Sequence, residues 1–141
     1  MEMRFVIVKE EKLIIQMFSG KLTYEKWLKS AEAIWENPEY DSSYCGIVDF
    51  RKADVQMKIK EVKAIIELLS SKNNQALRAD TAILIDEPTA AAFASIFADS
   101  MKELINTKIV TTEEGAAAKL SLNRSVFESL YGTDAVTLVL D

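Results

Sequence analysis

Asp49 and Arg51 flank Phe50 in the segment Cys-Gly-Ile-Val-Asp-Phe-Arg, residues 45–51. If this segment is a strand, two-residue alternation puts both charged side chains on one side of the sheet. At the carboxyl end of a parallel strand, where ligands usually bind in open α/β sheets, an arginine can hold a phosphate or carboxylate through paired donors. The competing role is internal: Asp49 caps backbone amides or pairs with Arg51. Asp86 and Glu87 end another strand candidate, expected at the same edge of the molecule. With Asp49 and Asp54 they make an acidic cluster, but no calcium-loop spacing accompanies them. Helix capping and solubility account for Asp86 and Glu87 more simply, so no metal and no cofactor is expected.

Phe93 and Phe97 belong to an Ala/Phe-rich run from Ala90 to Leu104 that either lines an apolar groove or packs solidly on a sheet. Cys45 is the single cysteine of a chain without histidine, so a nucleophilic thiol has no histidine base and a small buried hydrophobe is expected there. The missing histidine also removes histidine triads and histidine-ligated metal sites. Tyr40 and Tyr44 bracket a Ser/Asp loop, where aromatic side chains can anchor a partner. Gly46, Gly115 and Gly132 are isolated and form no phosphate-cradling loop.

These residues need elements to hold them. Arg4 to Lys9 is a β-branched run, and Glu10 to Lys12 a charged turn. Leu13 to Ser19 is a second strand that Gly20 ends. So short a connection makes an antiparallel hairpin. Thr23 caps a helix whose stripe is Tyr24, Trp27, Leu28, Ala31, Ile34 and Trp35, with Leu22 and Trp27 at staple spacing and Asn37-Pro38 as the stop. Both tryptophans are expected to pack against a sheet. Cys45 to Phe50 is a strand, and Asp54 or a neighbour opens a helix with Ile59, Val62, Ile65, Ile66 and Leu69 buried. Thr81 to Ile85 is a buried strand, and Pro88 starts the Ala/Phe-rich helix. Thr107 to Thr111 is a strand. Thr111 or Thr112 caps the next helix, Thr111 and Glu114 having capping-box spacing. Val126, Phe127, Leu130 and Tyr131 suggest a short helix, and Ala135 to Leu140 a sixth strand. That last strand is apolar enough to require a sheet edge, of its own subunit or of a partner.

Alternating strands and helices predict an α/β fold: a mostly parallel five-stranded sheet with an antiparallel first strand, plus an extra C-terminal strand. The 141 residues suit a single domain, 1–141, with 121–141 as a C-terminal extension. Hydrophobic residues at 49% and charged residues at 28% mark a globular chain able to build a core without disulfides. The formal charge of -5 argues against nucleic acid as a partner. The four-residue apolar run near the N-terminus is too short for a signal-peptide core, and no run is long enough for a membrane span. A cytoplasmic location is the expectation, and one cysteine is consistent with it.

The order of these segments resembles the SpoIIAA-like family, relatives of the STAS domain. The resemblance rests on Leu13 to Gly20, Leu22-Thr23-Tyr24-Glu25, Pro38-Glu39-Tyr40, Ile47 to Arg51, Thr81 to Ile85 and Ile109 to Ala116, and it covers roughly residues 3–120. It implies helices largely on one face of the sheet and a role in protein–protein regulation; lipid or other apolar-ligand binding has been proposed for relatives. Bacterial anti-sigma-factor antagonists carry a phosphoacceptor serine after the third strand. The corresponding stretch here, Lys52 to Lys58, has no serine or threonine, and Ser42 and Ser43 precede the strand.

Three functions follow as expectations. The first is a non-enzymatic interaction or regulatory domain with a protein partner, itself included as a homodimer. The second is a binding or carrier protein for a small apolar or lipid-like ligand, which a large apolar pocket would favour. The third is a small enzyme working through carboxylates and Arg51. The candidate contact residues are Asp49, Arg51, Asp86, Phe93 and Phe97.

Overall fold

A computed structural model describes residues 1–72 and 79–141. The chain enters through strand β1 (Glu2–Val8), a 3-10 turn at Lys9–Glu11 and strand β2 (Leu13–Leu22). Lys12 adopts the left-handed conformation that closes this hairpin. Three strand–helix units follow: α1 (Tyr24–Trp35) into β3 (Cys45–Val55), α2 (Ile59–Lys72) into β4 (Ala79–Leu84), and α3 (Pro88–Ser100) into β5 (Ile105–Val110). Helix α4 (Glu113–Lys119), a 3-10 segment (Arg124–Tyr131) and β6 (Val136–Val139) complete it. No helix among the described residues is long and apolar enough to cross a membrane.

The six strands form one mixed sheet in the order β5-β4-β3-β2-β1-β6. β2 through β5 are mutually parallel, and β1 is antiparallel to both its neighbours. From β2 to β5 every step moves one strand in the same direction. With crossovers of one hand, all three connecting helices must then fall on one face. They do: Ile34 of α1 packs with Met3, Phe5, Ile14, Phe18 and Leu22, and Ala90 and Ala94 of α3 pack with Ile83 and Ile85. After β5 the chain has to return across the whole sheet to reach the far edge. It does so over the opposite face, where Ala116, Phe127 and Leu130 cover Val6, Leu13, Ile15, Ile47 and Leu84. The C-terminal strand therefore pairs with β1 of its own chain, and residues 121–141 contribute to the core.

Several boundaries differ from the sequence expectation. Gly20 does not end β2; it takes a φ of 87° and the strand continues to Leu22. β3 runs five residues past Phe50, and Asp54, expected to open a helix, pairs across to Lys21 instead. The extension works because β3 holds one extra residue: Met17 faces Asp49 but Ser19 faces Lys52. This bulge re-phases the alternation, so Phe50, Ala53 and Val55 all meet the α1–α3 side. α2 starts at Ile59, with Glu61 accepting from the Lys58 amide at 2.8 Å, which leaves Ile59 exposed rather than buried. α3 stops at Ser100, short of Leu104. β5 begins and ends earlier than Thr107 to Thr111. At α4 the cap is Thr112, whose hydroxyl accepts from Gly115; Glu114 turns to Arg124 instead of closing a box with Thr111. A Cβ on Gly115 would lie 3.1 Å from that hydroxyl, so the glycine lets the cap approach.

Candidate functional site

The sheet separates the candidate residues into two groups. Asp49, Arg51 and Asp86 meet in a shallow cleft on the α4 side, with Met17, Lys52, Glu113 and Tyr131. Phe93 and Phe97 lie through the sheet, in a cavity on the α1–α3 side.

In the cleft, alternation places Asp49 and Arg51 together, and the bulge brings them into contact. Asp49 Oδ1 accepts from the Arg51 amide and from Nε, both at 3.0 Å, and Oδ2 accepts from Nη2 at 2.8 Å. Nη2 also donates to Glu113 Oε2 at 3.1 Å. Glu113 in turn holds Arg124 at 3.2 Å, and Arg124 reaches Glu114 at 2.9 Å. Asp49 is buried, with a side chain only 5% exposed. The Arg51 guanidinium is held further into its charged form, chiefly by the hydrogen bond to Asp49. Its planar fork is therefore occupied by carboxylates, as an internal ion pair requires. Nothing local in the sequence ties Glu113 and Arg124 to this site: both lie far along the chain, Glu113 meeting Arg51 and Arg124 joining through Glu113 only once α4 is set on this face. Glu87 is a cap: its carboxylate accepts from the amides of Thr89 and Ala90, which holds it below its ordinary pKa. Among the described residues no group of three or more acidic or cysteine side chains is placed to hold a metal ion.

The cavity measures about 260 Å³. Its floor is the upper face of β2, β3 and β4, including Ile14, Val48, Phe50 and Ile83; its roof is Trp27 and Trp35 of α1, Val62 and Ile65 of α2, and Phe93 and Phe97 of α3. Tyr40, Asp41, Ser42 and Tyr44 form one rim; Cys45, next in the chain, is half-buried and packs against the core on the α4 side. Trp27 meets Trp35 edge-on at 6.5 Å, and Phe50 stacks on Phe18 at 5.3 Å. Val48 and Phe50 occupy a strand flanked on both sides and roofed by helices. Side chains there are ordinarily buried, yet both stay partly exposed, as do Trp27, Trp35, Phe93 and Phe97. Trp27 packs against the cluster of Met3, Phe5, Ile14, Phe18 and Leu22 on the sheet, while part of its surface, like that of Trp35, borders the cavity. Alanines at 90, 91 and 94 were the available signal, since they shorten α3's side of the gap.

The rim also has a defined charge state. Asp41 accepts from the amide and hydroxyl of Ser43 at 2.9 and 2.6 Å, which holds its carboxyl below the usual range. Burial, then the neighbouring Asp41, push the Tyr40 phenol up, so it stays protonated and neutral.

Compared with known proteins, the chain matches no protein-family model and no curated protein sequence.

Proposed function

We propose that the chain binds a small apolar molecule between its sheet and helices α1–α3, as a carrier or sensor, on a scaffold related to the SpoIIAA-like family. The observation that carries this is the 260 Å³ cavity with aromatic walls over the central strand. A concave, solvent-open site of this kind keeps aromatic and aliphatic surface in contact with water, a cost that an apolar occupant removes. The cavity is larger than the roughly 150 Å³ apolar hole that accommodates benzene in an engineered protein. The hairpin, the three units winding over one face and the absence of a hydroxyl residue from Lys52 to Lys58 support the family relation without its phosphorylation control. The proposed role is non-enzymatic, with the Arg51 guanidinium engaged by Asp49 and Glu113 instead of facing a substrate. Titration with 1-naphthylamine, a neutral two-ring fluorophore that fits a cavity of this volume, should give a saturable, one-to-one gain in blue-shifted emission. No saturable gain overturns the proposal.

A second reading, self-association, is favoured by β6. It is an outer strand, with Val139 69% and Val136 39% exposed. An open apolar edge can pair with its copy in a second chain. Sedimentation should show a dimer that Val139→Lys converts to monomer; a monomeric parent chain removes this reading.

A further inference from the structure

The walls of the cavity constrain the chemistry of what it takes. Gln16 is the polar residue of its stretch of floor: it lies across from Phe5 on β1 and Val48 on β3, and between Ile14 and Phe18 along β2. It is half-buried, it lines the cavity, and among the described residues no protein group hydrogen-bonds its carboxamide, which stays open to solvent. A carboxamide offers both donors and an acceptor. One row away, Thr81 brings a hydroxyl beside Gly46, lying within ordinary contact of where a side chain at that position would begin. Among the described residues no lysine or arginine lines the cavity, and the one charged group there, Asp41, is an anion at the rim. An anionic headgroup would enter without a counter-charge and past a like charge, losing its hydration with nothing to replace it. A neutral hydroxyl or carbonyl would instead meet Gln16.

Size follows by proportion. If about 150 Å³ holds the six carbons of benzene, this cavity holds on the order of ten non-hydrogen atoms. Resting on the apolar-ligand reading, we infer that the cavity selects an uncharged molecule of about two fused rings, or an aliphatic of equal bulk, carrying one hydroxyl or carbonyl that hydrogen-bonds Gln16, and rejects the corresponding carboxylate.

Calorimetric titration of the full chain at neutral pH with naphthalene, 2-naphthol and 2-naphthoate tests this, because the naphthol is then neutral and the naphthoate ionised. Naphthol should bind about five- to tenfold more tightly than naphthalene, as one net hydrogen bond provides. Naphthoate should bind at least about tenfold more weakly than naphthol. Gln16→Leu should abolish the advantage of naphthol while leaving naphthalene binding intact, which also shows the variant folded; Gln16→Met, with a similar unbranched shape, should do the same. Equal affinity for naphthol and naphthalene, a naphthoate that binds as tightly, or a naphthol preference that survives both variants overturns the headgroup selection alone. Failure of naphthalene and naphthol alike to bind overturns it together with the apolar-ligand reading beneath it.

Discussion

Arg51 shows how a residue that suits ligand binding can be committed elsewhere. Three of its donors, counting the backbone amide, go to Asp49, and a further contact goes to Glu113. The extra residue in β3 supplies an amide that needs an acceptor, and Asp49 provides it from a buried position. Removing only the cation leaves a buried carboxylate without its counter-charge, a more serious loss than removing the pair. Arg51→Met should therefore cost about 2–4 kcal/mol in urea unfolding, with part of the loss recovered by Asp49→Asn in the same chain. Arg124→Met, at an exposed position of the same network, should cost less than about 1 kcal/mol. Pairing of Asp49 with Arg51 was legible at two-residue spacing. The additional carboxylate was not, since Glu113 looks like an ordinary first-turn helix residue until β3 and α4 are set on the same face.

At the scale of elements, the local signals located the starts of helices better than the ends of strands. Thr23 and Glu87 act at the expected starts through their own side-chain oxygens, because a cap is decided within three or four residues. A strand's end depends on its neighbour. Residues 51–55 have no continuous apolar run, but β2 extends alongside them to Leu22, and pairing carries β3 to Val55. Likewise the C-terminal segment read as a strand in need of an edge, but only the return across the second face settles that its edge is β1. Glu87 yields a prediction with a definite sign. Its carboxyl is held below its ordinary value by the amides of Thr89 and Ala90, so its contribution is present above that ordinary value and lost as pH falls through the lowered one. Glu87→Gln should reduce the thermal midpoint at neutral pH, with the gap to the parent chain closing as pH is lowered through and below 4.5. A gap that is constant with pH would mean that the carboxylate charge contributes nothing to the cap.

For the whole molecule, the two faces of the sheet are unequal in a way that composition could not show. The return path lays small and bulky apolar groups closely on its face, where Ile47, Ala82 and Leu84 are buried beneath Ala116, Phe127 and Leu130. The three crossover helices cover the other face incompletely, and the same kinds of residue remain partly exposed around the gap. Periodicity reports which side of an element is apolar; it does not report whether two apolar surfaces touch. A substitution that adds volume at the centre of the floor separates the cases. Val48 lies between Gln16 and Ile83 in register and faces the cavity. In a closely packed core, Val48→Phe would overfill the site and destabilise by about 1–3 kcal/mol. Over an open cavity the ring instead gains burial and contacts, so the expected change is a stabilisation of about 1 kcal/mol, accompanied by loss of dye binding. The opposite signs make a urea titration decisive: a destabilised Val48→Phe chain would mean that α1–α3 already close on the sheet, and that no ligand is needed to complete this core.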